Sequence, residues 1–216
     1  MAIADYDTLA NAIKRYAARS DSVFSTAIPD FVAIAEDRLY NGHGDIGEPL
    51  YSQPVRSSVL EATGTITVAD GIGSVPADYL AMRRLSRSGD TVGLTFTPPE
   101  RLAVDGSGMS SGTPSRYTIT GTTLTLIPPG WSGTLAVDYF RRHPAISSSV
   151  TTGPLLTAHG IAYLEACLIE AFSFLQEGEL AVAHASKLRG IVAGINRTSS
   201  ELRFSGPLRV RQRVAI

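Results

Sequence analysis

The sequence predicts an α+β fold: a four-helix body, made of two N-terminal helices and a C-terminal helical hairpin, with a central antiparallel β insertion. Three observations carry that expectation. Apolar residues recur at helical spacing near both ends of the chain, the period falls to two between about residues 55 and 140, and glycine- and proline-rich stretches separate these regions.

The elements follow in order. Leu9, Ile13, Tyr16 and Ala17 share one helical face, and Asp5 or Asp7 can cap its start. A second helix is expected from Pro29, a residue suited to a first helical position, to about Tyr40, with Phe31, Ile34, Ala35 and Arg38 on one face and Asn41-Gly42 as its stop. Residues 42–54 hold three glycines and two prolines and read as a loop. Period-two or β-branched runs then appear at Thr65–Val68, Thr91–Phe96, Tyr117–Thr120, Leu124–Ile127 and Leu135–Tyr139. Gly121-Thr122 suits a tight hairpin, and the last three strands read as an antiparallel meander. Beyond Pro144, Ile161, Leu164, Leu168, Phe172 and Leu175 form one face, ended by Gly178. Leu180, Ala181, His184, Leu188, Ile191, Val192 and Ile195 line the next helix, so the two make an antiparallel hairpin. Helices of this kind need partners for their apolar faces, most simply the two N-terminal ones. The expected organisation is one composite domain over residues 1–200, with a helical body at 5–42 and 154–198, a β insertion at 55–142 and a C-terminal arm at 201–216.

A chain of 216 residues with 44% hydrophobic and 18% charged residues is globular, and long enough to bury roughly 70% of its unfolded surface. A formal charge of −1 argues against wholesale nucleic-acid binding, although the basic residues are almost all arginine, with only Lys14 and Lys187 besides. The single cysteine, Cys167, excludes an internal disulfide and a cysteine-based zinc cluster. Two aspartates within Met1–Asp7 do not fit a signal peptide, and His159, Glu165 and Glu170 interrupt the longest apolar stretch, 158–175, so no membrane partner is expected. The chain reads as a soluble protein of a reducing compartment.

Little in it points to catalysis, and no cofactor or metal is expected. His43, His143, His159 and His184 are widely spaced and lack a metal-ligand pattern. His159 and His184 read as hydrogen-bonded core or surface histidines. Gly42-His43-Gly44-Asp45 is the best candidate for a reactive loop, but its composition is that of a flexible linker. Gly106-Ser107-Gly108-Met109-Ser110-Ser111-Gly112 has the glycine content of a phosphate cradle without its lysine, and a strand follows it rather than a helix. It reads as a flexible loop, 105–113, available to a partner. Glu165 and Glu170 point about 140° apart on a helix of 3.6 residues per turn, so they are not a facing acid pair. One is expected to face a partner helix or another subunit.

The last segment has a pattern of its own. Arg209, Arg211 and Arg213 alternate with Leu208, Val210, Gln212 and Val214, a strand signature with one basic and one mainly apolar face. A frayed tail is one reading; an arm that adds to another chain is the other.

Several motifs together resemble a known family. Ile28-Pro29-Asp30-Phe31 followed by Ala35-Glu36-Asp37-Arg38-Leu39, then Val75-Pro76-Ala77-Asp78-Tyr79-Leu80, Gly112-Thr113-Pro114-Ser115-Arg116-Tyr117, Leu124–Pro128 and Val137–Pro144 occur in its order. Tyr163-Leu164-Glu165-Ala166 and Glu170–Leu175 then mark its pair of long helices. Over residues 5–197 the chain resembles the head–tail adaptor (connector) proteins of tailed bacteriophages. It departs from them at Thr151-Thr152-Gly153-Pro154, where the family often has a tryptophan and a longer polar lead-in.

The resemblance implies a structural virion protein of the neck, not an enzyme. Such adaptors form a ring of about twelve copies, one flank of each subunit fitting the opposite flank of the next. The implied partners are the portal protein above, a downstream tail or nozzle/stopper protein below, and genomic DNA in non-specific passage. Assembly would take place in the host cytoplasm. The portal arm is expected at Leu208, Arg209, Val210, Arg211, Arg213 and Val214, and the tail-side loop at Gly106, Gly108, Met109 and Gly112. Two other readings remain: a small-molecule-binding or catalytic α+β domain using His43 and Asp45, and a nucleic-acid-binding module using the basic tail.

Overall fold

The computed structural model describes residues 3–101 and 112–203, and the chain divides into two compact units. One comprises the chain up to Val59 and from Pro144 onward; the other is Leu60–His143. The fold is mixed α+β, as expected.

The helical unit opens with α1, Tyr6–Tyr16. Asp5 caps it: its carboxylate accepts from the Thr8 amide at 2.8 Å, while the Thr8 hydroxyl oxygen accepts from the Asp5 amide at 3.2 Å. The bonds that the Asp5 carboxylate accepts from the Thr8 amide and the Thr8 hydroxyl hold it below the usual carboxylate range. Leu9, Ala12 and Ile13 face inward.

Helix α2 runs from Ser22 to Asn41, so it starts well before the expected Pro29. Asp21 caps this earlier start by accepting from the Phe24 amide at 3.0 Å, and Phe24 and Ile28 extend the buried face begun by Phe31 and Ala35. Pro29 deprives the Ser25 carbonyl of its usual donor, but it lies on the exposed side and the buried face continues past it. Gly42, at φ +82°, ends the helix as expected.

Helix α3, Pro154–Phe174, is long and apolar enough to cross a membrane by length and composition, but it packs against α1, α2 and α4. His159 breaks its helical geometry at φ −133°, ψ 43°. Beside the break, Gly160 lies so close to the segment preceding α1 that an added Cβ would sit 2.3 Å from the Ile3 carbonyl oxygen.

Helix α4, Gly178–Arg203, returns along α3. Gly178 therefore begins this helix and does not end the preceding one. The left-handed residue at the turn is Gln176, at φ +61°. The Gln176 amide donates to Ser173 O and the Glu177 amide to Phe172 O, a Schellman cap that satisfies the last carbonyls of α3. Helix α4 also continues through residues 201–203, the described part of the segment read as an arm.

The second unit is a seven-stranded sheet: β1 Glu61–Ala69, β2 Ile72–Ser74, β3 Tyr79–Arg87, β4 Thr95–Phe96, β5 Arg116–Thr120, β6 Thr123–Ile127 and β7 Gly133–Arg141. Its order is β3-β7-β1-β2-β6-β5-β4. The first and last strands in that order approach closure, because the Leu94 amide just before β4 donates to Leu85 O of β3 at 2.7 Å. Ile66, Val68, Leu85, Leu124, Leu126, Leu135 and Val137 fill the interior.

The expected meander is only half present. Strands β5 and β6 pair across Gly121-Thr122, but β6 pairs with β2, and β7 pairs with β1 and β3. Asp70-Gly71, both at positive φ, make a two-residue hairpin that places β1 and β2 between β6 and β7. Strand β1 pairs with β7 from Glu61↔Phe140 to Val68↔Gly133. Of Thr91–Phe96 only Thr95 and Phe96 form a strand, in parallel with β5.

Candidate functional site

The helical unit is tied together by buried polar groups supplied largely by the Glu36 and Arg38 positions of α2. Both are almost inaccessible. Glu36 Oε1 accepts from the Ile146 amide at 3.0 Å and from the Tyr163 hydroxyl at 3.1 Å. Burial and the nearby Glu36 push the Tyr163 hydroxyl far above its ordinary pKa, so it stays a proton donor. Arg38 donates to Glu170 Oε1 through Nε at 3.2 Å and Nη2 at 2.6 Å, and through Nη1 to Leu50 O at 2.9 Å. On the other side of α3, Glu165 Oε2 lies 2.6 Å from His184 Nδ1, and the imidazole stacks on Phe172. Glu165 and Glu170 thus both face partner helices of the same chain.

These contacts define a layer. At 100° per residue, Tyr163, Glu170 and Phe174 lie on one stripe of α3, while Glu165 and Phe172 lie on the opposite one. The first stripe meets α2, through Glu36, Arg38, Phe24 and Phe31, and the second meets α4 through His184. Helices α2 and α4 therefore flank α3 on opposite sides. Both run antiparallel to α3, hence in the same sense as each other.

The Gly42–Pro54 loop is not a loose linker. His43 and Ser52 form an antiparallel bridge, with amide–carbonyl bonds of 2.8 and 3.0 Å. Asn196 of α4 then clamps the chain beyond it, donating to Pro54 O at 3.0 Å and accepting from the Arg56 amide at 2.7 Å. His43 and Asp45 are used by this loop or face solvent, and no acid–base pair forms between them.

One arrangement has the form of a nucleophile and base. Ser57 Oγ lies 2.8 Å from His159 Nε2, and burial pushes the His159 pKa down, which keeps the imidazole neutral. Ser57 is only 3% exposed, however, so a substrate carbonyl could not reach it. The bond instead holds the chain before the sheet against the break in α3. Sequence spacing could not reveal it, since the partners are 102 residues apart. Among the described residues, no group of three or more His, Cys, Asp or Glu side chains is placed to hold a metal ion. Cys167 is fully buried, and burial pushes its thiol up, which makes it a poor nucleophile.

The sheet unit has its own tie. The Tyr139 hydroxyl donates to Asp78 Oδ1 at 2.9 Å, the Asp78 carbonyl accepts from the Arg142 amide at 2.8 Å, and Tyr79 stacks on Tyr139. The Val75–Leu80 motif thus fastens β3 to β7. On the outer surface, Arg83 pairs with Glu61 beside Asp138, lining a polar depression of about 350 Å³.

Of the residues expected to touch partners, Gly112 is exposed just before β5. Gly106, Gly108, Met109, Leu208, Arg209, Val210, Arg211, Arg213 and Val214 lie outside the described residues. The described surface also departs from the apolar faces expected of the helices: Ile34, Ile161 and Leu180, placed on those faces by their spacing, are exposed, because each lies at the margin of its buried stripe. Val23, Asp30 and Ile34 are exposed on α2, and Ser22, Val23, Thr26, Ala27, Asp30 and Phe174 line an open groove of about 410 Å³. On α4, Leu180 and Val182 are exposed. An i, i+4, i+7, i+11 count on the outer side of α2 would have found the first set.

No curated protein matches the chain. A family model, that of the SU10 adaptor protein, matches residues 4–211, which is nearly the whole chain and extends past the motifs into the basic C-terminal segment. That match places the chain in the SU10 adaptor protein family, a family of phage head–tail adaptors.

Proposed function

We propose that the chain is a non-catalytic structural subunit of the phage neck, forming a ring of about twelve copies below the portal that extends the DNA channel and gives the tail its docking platform. The observation that carries this reading is the family match over residues 4–211. In it, the four helices form the body that packs side by side around the ring. The β insertion, with its loop at 105–113, meets the downstream tail or nozzle/stopper protein. DNA passes without sequence reading. The subunit assembles in the host cytoplasm and remains at the head–tail junction of the virion.

Attachment to the portal falls to the segment from Leu208 to Ile216. Its alternation lets backbone groups join a sheet edge while Leu208, Val210 and Val214 enter pockets. Each apolar side chain fully buried there contributes on the order of 1.5–3 kcal/mol, whereas an exposed arginine pair adds at most about 1 kcal/mol. Repetition around a ring turns such a weak arm into stable attachment. The test is deletion of residues 206–216, which leaves α4 intact through Arg203. The truncated chain should keep its helical content and fail to co-purify with portal particles. Attachment at wild-type level would show that the arm is not the docking element. Electron microscopy of full-length chain on portals should show a ring.

A further inference from the structure

The α2–α3–α4 layer exposes one stripe along its α2 side, continuous with Phe174 of α3, and another along its α4 side, and the two surfaces are complementary. Along α2, Val23, Ala27, Asp30 and Ile34 fall on one outer stripe. Val23 is 67% exposed and Ile34 49% exposed. Val23 and Ala27, with Phe174 at the end of α3, are the apolar residues lining the groove, and Asp30 lines it too. Every outward charge on α2 is acidic, because its one basic residue, Arg38, is buried against Glu170. Along α4, Leu180, Ala183 and Lys187 form an outer stripe, with Leu180 44% exposed. Neither Asp30 nor Lys187 has an ion-pair partner among the described residues. Glu179 and Glu201 lie toward the two ends of α4, and Arg197 leans toward Glu201 at 3.9 Å.

The spacing agrees as well. Val23 and Asp30 are seven residues apart, and so are Leu180 and Lys187; at 1.5 Å per residue each pair spans about 10.5 Å. Helices α2 and α4 run in the same sense, and the groove and Leu180 both lie at the α3–α4 turn end of the layer. A rotation about an axis along the helices keeps those heights. It brings the α4 flank of one copy to the α2 flank of the next without inverting either, which is the requirement for a heterologous contact that closes into a ring.

We propose that copies of this chain associate head to tail through these flanks, Leu180 of one copy entering the Val23–Ala27–Phe174 groove of the next and Lys187 meeting Asp30. This rests on the ring reading above and names the surfaces that build it. The occupant of the groove is a second copy because an exposed apolar side chain, Leu180, and a cation without an ion-pair partner among the described residues, Lys187, stand at matching spacing on α4. The contact is one of apolar burial with a single charge pair setting register.

Two full-length variants test it, Ala27→Cys and Ala183→Cys. Native Cys167 is fully buried, so the introduced thiols are the ones open to reagents. Assembled on portal particles and treated with a short bismaleimide, a mixture of the two should give cross-linked dimer, and neither alone should. Dimer from Ala27→Cys alone would mean that α2 meets α2 and would overturn the head-to-tail pairing. Rings without any cross-link would overturn the flank assignment and leave the ring reading standing; no ring in any preparation would overturn both. Charge reversal gives a second measurement. Asp30→Lys or Lys187→Asp alone should raise the subunit concentration at half-assembly about fivefold or more at low salt, while the double variant should return to within about twofold of wild type. If the double variant is no better than the singles, the Asp30–Lys187 pairing is wrong.

Discussion

Replacing Arg38 by Met removes one half of the tie between α2 and α3. The Arg38 side chain is 3% exposed and that of Glu170 15% exposed, so the substitution leaves a carboxylate largely cut off from water. Removing one partner of a buried pair costs about 3–5 kcal/mol, and the residual exposure of Glu170 points to the lower end, about 3 kcal/mol. For a chain of this size each kcal/mol shifts Tm by about 2–4 °C, so Arg38→Met should melt about 6–12 °C lower. The lost donor to the Leu50 carbonyl accounts for about 1 kcal/mol of that cost. Arg38→Met with Glu170→Met removes both charges and should recover all but about that last amount. Urea denaturation of the full chain, followed by far-ultraviolet circular dichroism, reads the cycle. If the single variant costs under about 1 kcal/mol, or the double variant costs the sum of the two singles, the pair does not hold the layer as described.

Two further outcomes follow from particular contacts. Gly160→Ala should destabilise by about 1–3 kcal/mol by forcing the Ile3 carbonyl away, whereas Gly194→Ala, whose Cβ meets nothing, should stabilise by up to about 1 kcal/mol; thermal denaturation of both compares them. Because burial depresses the His159 pKa, the unfolded chain takes up a proton there before the folded one does. Stability from this site is complete above about pH 6.5 and falls as the pH drops below it, so Tm against pH should flatten in that range for His159→Gln; an unchanged slope would exclude His159 as its source.

How much of this was legible in the sequence depended on how local the cause was. The ends of α1 and α2 were readable where a cap or a glycine set them, as Asp5 and Gly42 did. The start of α2 was missed because Pro29 reads as a first helical residue, while the buried Phe24 and Ile28 carry the helix two turns further back. The hairpin at Asp70-Gly71 was written plainly as an Asp-Gly pair between strand-like residues. That hairpin sets β1 and β2 between β6 and β7, which is why the strand order is not a meander. Gly178 looked like the stop of α3 by composition, but a non-glycine residue, Gln176, took the left-handed position because the flanking amides close a Schellman cap. The polar ties could not be read at all. Nothing in the spacing of Glu36 and Tyr163, or of Arg38 and Glu170, announces a contact across more than a hundred residues. The motif containing Glu36 and Arg38 was visible in the sequence, but only the packing shows that these residues serve the interior.

The pairing of β1 with β7 has a consequence for how such a protein can change over time. The Leu60–His143 unit leaves and rejoins the chain through two strands that are ladder partners, Glu61 opposite Phe140. Residues so paired have Cα atoms only about 4.5–5.5 Å apart, a gap that a short turn can bridge. As far as chain connectivity goes, the whole unit is equivalent to a hairpin loop. It could be lengthened, exchanged for another fold with adjacent ends, or trimmed to a turn, with no change in the distance the remaining chain must span. Lineages carrying the same helices could therefore acquire different insertions at this junction by a single graft.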